Sequence, residues 1–570
     1  MDYSNRPNHP VNKSFPLSII VLILLIRALT LNYPDLIEPT ESRYATIPLI
    51  MLQKSDWLIP RVWIDGQLEP YFSKPPLHFW LIAICYKLIY VDEWVARLPS
   101  FFAMIALLII VYALGKRAGN SISGILSALI CSTSLILFFL SGAVVTDVSL
   151  TAAITLALLG FVFFETSETE RSRTYWGLLI FTGAAISFMI KGPLGSVLIA
   201  GTIFLYLLIQ KDLGMLKKLP WLRGTLLYLV IIVPWLLMAQ SAYPDFFHYY
   251  FIQENLGRFL NPSFGSRYGG AHNHSYGAIW YMLPVAFIPW VFLLLGREYR
   301  VRFSNLLKKE RDSVLLFFTI AGVLPAVFFT FSRNILGTYC VLSIPGLALA
   351  TGYLVSAVQA DSADKALRRR YYVITAMAAV SALTLGMSLL HQQITFASII
   401  TLLVLLASFL LNTKHKSLLN YSTVFVSYLS LHSAILFSAL IVLLSPYVNN
   451  RRSLEPLMKE IANNTPGPVL SVGVADHFEQ SAFWLAGAGQ HEISKKIKLH
   501  VFNPNKLSEI KVKNVVIKLK RFKSSDYLKA HYTVRKIIGK WAWLVRSNEL
   551  SKNNSGLSKE KYTGPAKQAP

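Results

Sequence analysis

Long apolar runs alternate with short polar connections along most of this chain. Runs long enough to cross a membrane occupy residues 16–31, 94–115, 120–140, 144–166, 174–191, 193–209, 220–241, 278–296, 314–332, 338–356, 371–391, 395–412 and 422–446. Since a transmembrane helix needs roughly 20 mostly apolar residues, the pattern predicts a polytopic α-helical membrane protein with about thirteen transmembrane helices. The apolar stretch from Leu77 to Tyr90 is too short to span, and it predicts an interfacial or re-entrant helix.

The pattern changes after residue 446, where apolar runs become short. Residues 468–474 and 512–519 are rich in valine and other apolar residues and predict strands, while 453–463 and 476–487 predict helices. We therefore expect a transmembrane domain at residues 1–446 that includes a long loop at 32–93, a small α/β domain at 447–550 and a disordered polar tail at 551–570.

The composition supports a membrane protein and excludes an ordinary soluble one. Of the 570 residues 54% are hydrophobic and only 15% are charged, and the mean hydropathy is +0.47. A soluble core of this size would not carry so much apolar surface. Cys85, Cys131 and Cys340 lie far apart in apolar segments, so we predict neither a disulfide framework nor a cysteine-based metal site.

Basic residues predict the orientation. They concentrate in alternate connections, at residues 6–13, 116–117, 171–173, 211–218, 297–311, 365–370 and 414–416. Such an excess marks cytoplasmic loops, so we expect the loops at 32–93 and 242–277, and the C-terminal domain, on the outer face. The net charge of +25 indicates either anchoring to anionic membrane lipids or binding of an acidic lipid substrate. A nucleic-acid partner is not expected for a basic domain joined to an outward-facing membrane body.

Carboxylates near the outer face are the first candidates for chemistry, because charge held at a membrane face is costly unless it binds something. Glu41 follows the first span, beside Glu38 and Arg43, and is able to activate an acceptor hydroxyl or amine. The alternative is an ion pair that caps a helix starting near Tyr44. Asp147 lies near the outward start of another helix, where it is either a second catalytic carboxylate or only a partner of the helix dipole.

Three basic residues stand at predicted turns on the same face. Lys74 precedes two prolines that stiffen the backbone, Lys191 ends a helix before a Gly-Pro pair, and Arg333 lies in a Ser-Arg-Asn turn. Each of them alone is typical of a side chain that reaches the lipid headgroups. Together with the carboxylates they favour an anionic, lipid-linked substrate.

The 242–277 loop is the fourth candidate region. His248, Glu254, His272 and His274 are residue types that bind divalent metals, but their spacing matches no strong zinc motif. The alternative is a set of surface and phosphate-contacting histidines, with Arg258 as a further cation.

Several motifs in a fixed order resemble one known family. They are Glu38-Pro-Thr-Glu-Ser-Arg-Tyr-Ala45, Asp56-Trp-Leu-Ile-Pro60, Tyr71-Phe-Ser-Lys-Pro-Pro76, Asp147, Lys191-Gly192, Pro234-Trp235, Phe246 to Phe251 with Glu254 and Arg258, Trp280-Tyr281, Pro289-Trp290, Arg333 and Thr338-Tyr339. This set resembles the ArnT-like, phospholipid carrier-dependent glycosyltransferases of the protein O-mannosyltransferase superfamily. The resemblance implies the GT-C fold.

The resemblance also implies a function. A sugar would pass from a polyprenyl (undecaprenyl) phosphate to lipid A or another envelope glycan, with inversion, on the periplasmic side of a bacterial inner membrane. Lys74 would meet the phosphate, and the other implied substrate-binding residues are Arg43, Tyr44, Lys191, Arg258, Arg333 and Tyr339. Glu41 and Asp147 would be the catalytic carboxylates. A protein O-glycosyltransferase and a transporter of lipid-linked sugars are the alternatives.

The chain departs from the family pattern at two positions. The family usually has Asp-Glu where this chain has Thr40-Glu41, so Glu41 or Asp147 would have to act instead. An acidic residue implicated in metal binding usually precedes the motif lysine, and here that residue is Ser73. This departure argues against a divalent metal cofactor, for which His248, Glu254, His272 and His274 are the candidate ligands.

Overall fold

The computed structural model of this chain describes residues 14–64, 67–260, 273–294, 296, 300–301, 304, 313–357, 422–464, 470–474, 497–501 and 512–547. The chain divides into two compact units, one made of residues 1–62 with 68–449 and the other of residues 63–67 with 450–570.

The first unit is helical, as the apolar pattern predicts. Its α-helices in the described ranges are Ser14–Leu29 (α1), Thr40–Lys54 (α2), Leu77–Leu88 (α3), Glu93–Ala118 (α4), Ser121–Ser132 (α5), Leu135–Leu140 (α6), Asp147–Glu165 (α7), Glu170–Lys191 (α8), Leu194–Gln210 (α9), Trp221–Ala242 (α10), Arg258–Leu260 (α11), Ile279–Ala286 (α12), Val291–Leu294 (α13), Ser313–Thr330 (α14), Ile344–Ala357 (α15) and Ser422–Arg452 (α16). A π-helix at His248–Gly257 and 3₁₀ helices at Leu213–Lys218 and Gly337–Ser343 complete the set of helices. Apart from this helical set, strands Arg61–Ile64 (β1) and Gln67–Pro70 (β2) form a two-stranded sheet.

Within the described ranges, seven helical stretches are long and apolar enough to cross a membrane. The chain is therefore a multi-pass membrane protein, and the predicted fold class is confirmed. The count of about thirteen spans stays a prediction, because spans 371–391 and 395–412 lie outside the described residues. The stretch predicted as a short interfacial or re-entrant helix is α3, which has 12 residues.

Two predicted spans are interrupted in the structure. Span 120–140 is divided into α5 and α6, and span 278–296 into α12 and α13. The backbone N–H of Leu135, after the first break, donates to the carbonyl oxygen of Ile288, at the second, at 2.9 Å. Backbone groups released from a helix within a membrane need such a partner. The two breaks therefore form one junction.

Local sequence explains both breaks. Ser132, Thr133 and Ser134 donate their hydroxyl hydrogens to backbone carbonyls one turn earlier at 2.7–2.9 Å. Consecutive bonds of this kind compete with the helical ladder and bend the helix. The second break contains Pro289, which has no backbone N–H to donate.

Helix α7 is the most buried of the seven candidate spans in the described ranges, because 83% of an apolar stretch of 18 residues in it lies inside the protein. Glycines let α8 approach it closely: a Cβ on Gly183 would lie 2.8 Å from the carbonyl oxygen of Ala153, and one on Gly160 would lie 2.9 Å from that of Trp176. Because α7 and α8 are consecutive and antiparallel, the first residue of α7 lies beside the last residue of α8. This arrangement positions the candidate site.

The second unit contains a mixed five-stranded β-sheet and short helices. Its described elements are helices Glu455–Asn464 (α17), Leu519–Ser524 (α18) and Asp526–His531 (α19), and strands Leu470–Val474 (β3), Ile497–Val501 (β4), Asn514–Lys518 (β5), Tyr532–Ile538 (β6) and Trp541–Arg546 (β7). The strand order is β4-β3-β5-β7-β6; β3 runs parallel to β4 and β5, whereas β7 runs antiparallel to β5 and β6. The predicted strands correspond to β3 and β5. The predicted helix at 476–487 and the predicted disordered tail lie outside the described residues.

The contact of α14 with α15 gives a test of the helical packing. A Cβ on Gly346 would lie 2.2 Å from the backbone nitrogen of Gly322, so Gly346→Ala forces two helix backbones apart. Overpacking of this kind costs about 1–3 kcal/mol. We expect a lower midpoint of thermal unfolding for the detergent-purified protein. Gly214→Ala is the control, because a Cβ there would meet only Oδ1 of Asp212, at 3.6 Å, an ordinary van der Waals distance. Equal midpoints for the two variants would contradict the packing described here.

Candidate functional site

A cavity of about 420 Å³ lies in the helical unit, and both polar and apolar side chains line it. The polar lining residues are Lys74, Lys191, Glu254, Asn255, Arg258, Ser332, Asn334 and Tyr339. The apolar lining residues are Pro193, Leu194, Val197, Phe251, Leu256, Phe259, Phe328 and Phe329. Below, 'the polar end' names the first set of residues and 'the apolar end' names the second set. Such a wall suits a molecule with a charged head and a hydrocarbon tail.

The start of α7 and the end of α8 supply one ion pair beside the polar end. The ammonium of Lys191 lies 2.6 Å from Oδ1 of Asp147, and only 9% of each side chain is exposed. The same ammonium lies 4.3 Å from the centre of the Tyr339 ring, close enough for a cation–π contact. Three residues predicted from the sequence are therefore brought together here.

Glu254 on the π-helix is the second carboxylate of this group, and it is buried among donors. Its Oε1 lies 2.6 Å from Nη1 of Arg258 and 3.8 Å from Nζ of Lys74. The hydroxyl of Ser73 donates to the same oxygen, and the hydroxyl of Tyr249 donates to Oε2 at 3.2 Å. Burial alone would raise the pKa of Glu254, but Lys74 and Arg258 bring it below its ordinary value. The carboxylate is therefore ionised.

Lys74 is held on the segment between β2 and α3. Its ammonium donates to the carbonyl oxygen of Ser73 at 2.7 Å and to the Ser73 hydroxyl at 3.2 Å. Burial lowers the pKa of Lys74 from its ordinary value to about 8, although Glu254 acts in the opposite direction. At neutral pH the side chain is mainly charged.

The charges of this group do not cancel. Lys74, Lys191 and Arg258 are three cations, and Asp147 and Glu254 are two carboxylates. The described residues of the polar end and its ion pairs therefore carry one net positive charge in a partly buried place. A bound anion would complete the balance.

Glu41 lies apart from the cavity lining and has protein partners on both oxygens. Its Oε1 accepts the backbone N–H of Val144 at 2.8 Å, and Oε2 accepts that of Ile37 at 3.0 Å. Arg97, which is fully buried, lies 3.4 Å from Oε1 and also donates to the carbonyl oxygens of Leu31 and Pro34. Glu41 thus joins the first loop to the turn that precedes Asp147. Its predicted catalytic role stays a prediction.

Arg43 and Tyr44 lie in the first turn of α2, next to Tyr71. The Arg43 guanidinium is 5.9 Å from the centre of the Tyr71 ring, and the Tyr44 ring meets Tyr71 and Phe79 edge-on. Burial, followed by the neighbouring Tyr71, raises the pKa of Tyr44 well above its ordinary value. Tyr44 is therefore neutral. Neither Arg43 nor Tyr44 lines the cavity.

Arg333 is also outside the cavity lining. Its Nε donates to the carbonyl oxygen of His274 at 3.1 Å, and its guanidinium lies 5.7 Å from the centre of the Tyr276 ring. The backbone N–H of His274 in turn donates to the carbonyl of Arg333 at 3.0 Å. Phosphate binding by Arg333 stays a prediction.

The surroundings of Glu254 do not fit a divalent cation. Both of its carboxylate oxygens accept hydrogen bonds, and the basic side chains of Lys74 and Arg258 lie next to it. Among the described residues, His248, Glu254 and His274 do not place three ligand atoms within 4.8 Å of one another, and His272 lies outside those residues. Metal binding by these four residues stays a prediction, and no chemical step here depends on it.

Sequence reasoning missed several residues around the site. Arg97 lies within the predicted span 94–115. A charged residue inside a transmembrane span indicates a buried partner or a functional site. Ser73 stood out only as a departure from a family pattern, although it contacts both Lys74 and Glu254. No local pattern predicts Asn334, whose amide donates to the carbonyl of Arg258 at 3.4 Å across the fold.

Comparisons with known proteins identify proteins similar to this chain. The model of the family described as dolichyl-phosphate-mannose-protein mannosyltransferase matches residues 73–238. The chain is 31% identical over 387 residues to an undecaprenyl phosphate-alpha-4-amino-4-deoxy-L-arabinose arabinosyl transferase of Pectobacterium carotovorum, covering 65% of this chain and 66% of that protein. It is 27% identical to the enzyme of the same name in Yersinia enterocolitica, covering 61% of this chain and 59% of that protein. The matches thus span less than two thirds of these relatives.

Solved structures establish the fold. ArnT from Cupriavidus metallidurans bound to undecaprenyl phosphate matches with a TM-score of 0.72 and 18% identity, covering 95% of this chain and 99% of that one. The apo state of that protein matches with a TM-score of 0.71 and the same identity, covering 93% and 97%. The predicted family resemblance is confirmed: the chain is similar in sequence to ArnT-like glycosyltransferases and has their GT-C fold.

Proposed function

We propose that this chain is an inverting glycosyltransferase. It moves a sugar from a polyprenyl (undecaprenyl) phosphate to lipid A or another envelope glycan, on the periplasmic face of a bacterial inner membrane. The observation that carries this proposal is a cavity lined both by polar residues that, with their ion pairs, carry a net positive charge and by a set of apolar side chains.

The donor fits this cavity through its two halves. Lys74 and Arg258 bind the phosphate, because charge-assisted hydrogen bonds to a phosphate are strong in a partly buried place. The first isoprene units of the tail lie along Phe251, Phe328 and Phe329 of the apolar end. Two comparisons support this choice. The relatives are named as transferases that use an undecaprenyl phosphate-linked sugar, and the similar ArnT structure is bound to undecaprenyl phosphate.

The reaction breaks the bond between the anomeric carbon and the phosphate oxygen. An acceptor hydroxyl attacks the anomeric carbon from the opposite side, and the polyprenyl phosphate leaves with both bonding electrons. Lys74 and Arg258 stabilise the charge that develops on the leaving phosphate. The proton of the hydroxyl passes to a carboxylate acting as general base.

Asp147 is the base that we propose. Its Oδ1 lies 2.6 Å from the ammonium of Lys191, a residue of the polar end, and this ion pair orients the carboxylate. Glu41 is the weaker candidate, because both of its oxygens already accept backbone hydrogen bonds and Arg97 lies against it. In this assignment Glu41 supports the turn before Asp147 and does not touch the substrate.

The main test is transfer of labelled sugar from polyprenyl phosphate to membrane extracts by the purified protein. Asp147→Asn should lower the turnover rate by about 100- to 10,000-fold, the range expected for loss of a general base. Glu165→Gln is the matched control, because Glu165 is the acid at the other end of α7. A variant Asp147→Asn that transfers sugar at the normal rate would remove Asp147 from the mechanism, and a wild type without transfer would refute the proposed activity.

Donor binding gives a second test. Lys74→Ala removes a cation from the polar end and should weaken the binding of undecaprenyl phosphate by about 10- to 100-fold, as expected for a hydrogen bond to a charged group. Microscale thermophoresis in detergent measures this dissociation constant. Lys217→Ala, at an exposed lysine in a 3₁₀ helix, should leave it unchanged. Equal affinities for the two variants would place the phosphate elsewhere.

The pKa of Lys74 predicts a pH dependence. A lysine whose pKa is about 8 is charged below that pH and neutral above it, so affinity for the phosphate should fall as the pH rises through about 8. Lys74→Arg stays charged throughout that range and should lose this fall, even if its absolute affinity is lower. The same binding assay between pH 6.5 and about 9.5 checks both curves. A wild-type curve that stays flat would contradict the assignment.

A further inference from the structure

Ser73 connects the two charged groups that the proposed function uses for phosphate binding. Its side chain is buried, its hydroxyl donates to Oε1 of Glu254, and it accepts from the ammonium of Lys74 at 3.2 Å. One hydroxyl therefore lies between a buried cation and a buried carboxylate. None of the roles assigned above uses it.

The distances indicate what this hydroxyl does. Arg258 reaches Oε1 of Glu254 at 2.6 Å, whereas Lys74 stays 3.8 Å from the same oxygen. A buried ammonium beside a carboxylate gains by closing to direct hydrogen-bond distance. The Ser73 hydroxyl already donates to that oxygen, and the Lys74 ammonium donates instead to the hydroxyl and to the backbone carbonyl of Ser73.

We propose that Ser73 is a positioning residue for the phosphate-binding lysine. Its hydroxyl takes the place on Glu254 that Lys74 would otherwise occupy, so that the ammonium remains directed to the substrate. This inference rests on the proposed function, because it assigns Ser73 a role in binding the same phosphate. The Ser73 hydroxyl is also a neutral hydrogen-bond donor to Glu254. A carboxylate at position 73 would instead repel the carboxylate of Glu254.

Ser73→Ala should let Lys74 close on Glu254 and thereby weaken the binding of undecaprenyl phosphate by about tenfold. Ser73→Thr keeps the hydroxyl and should bind like the wild type. Tyr249→Phe is the matched control, because it removes one hydroxyl from the same carboxylate but at Oε2. It should bind like the wild type within about twofold. The binding assay uses the full-length protein in detergent.

A double-mutant cycle separates positioning from a general structural effect. Once Lys74 has been replaced by alanine, Ser73→Ala should cause no further loss of affinity, because the residue it positions is gone. A general distortion of the site would weaken both backgrounds by the same factor.

Several results would overturn the inference: normal binding by Ser73→Ala, no rescue by Ser73→Thr, an equal loss in Tyr249→Phe, or independent effects of Ser73→Ala and Lys74→Ala. If the wild type binds undecaprenyl phosphate through Lys74 but Ser73→Ala binds equally well, only the role of Ser73 fails. If the wild type does not bind undecaprenyl phosphate, the proposed function fails and the role of Ser73 fails with it.

Discussion

Pairing of buried charges is the constraint on which this structure depends. An ion removed from water costs several kcal/mol unless a partner and hydrogen bonds replace the water. Asp147 and Lys191 are each only 9% exposed, and the Glu254 side chain is only 2% exposed. Their pairs therefore restrict how the ends of α7 and α8, the π-helix and the segment before α3 are arranged. The contacts that stabilise this region of the fold also build the polar end of the cavity.

The sequence identified much of this site because charge is rare next to apolar runs. Lys74, Asp147 and Lys191 each stand at the edge of such a run, and the structure brings them together with Arg258 and Tyr339. The sequence alone does not reveal which charged side chains form ion pairs with one another. Glu41 is separated from its partner Arg97 by 56 positions. Only tertiary packing brings the two side chains together as an ion pair.

The fold itself was predictable at the level of its class and less so at the level of single helices. Hydropathy averaged over a span does not register three consecutive hydroxyl residues, so the break between α5 and α6 was missed. Pro289 was a readable signal for the other break. That the two breaks satisfy each other through Leu135 and Ile288 depends on residues 153 positions apart, which no local pattern contains.

The size and opening of the cavity have a consequence for substrate choice. Its volume of about 420 Å³ is far too small for a long polyprenyl chain, and Val197 and Leu256 at the apolar end are 50% and 51% exposed. Most of a bound tail would therefore lie among the lipids of the bilayer, outside the protein. If the proposed function holds, the enzyme would recognise the head of its donor and the first few isoprene units, and its affinity would not depend on chain length. Carriers of different lengths would then compete for one site in proportion to their abundance in the membrane.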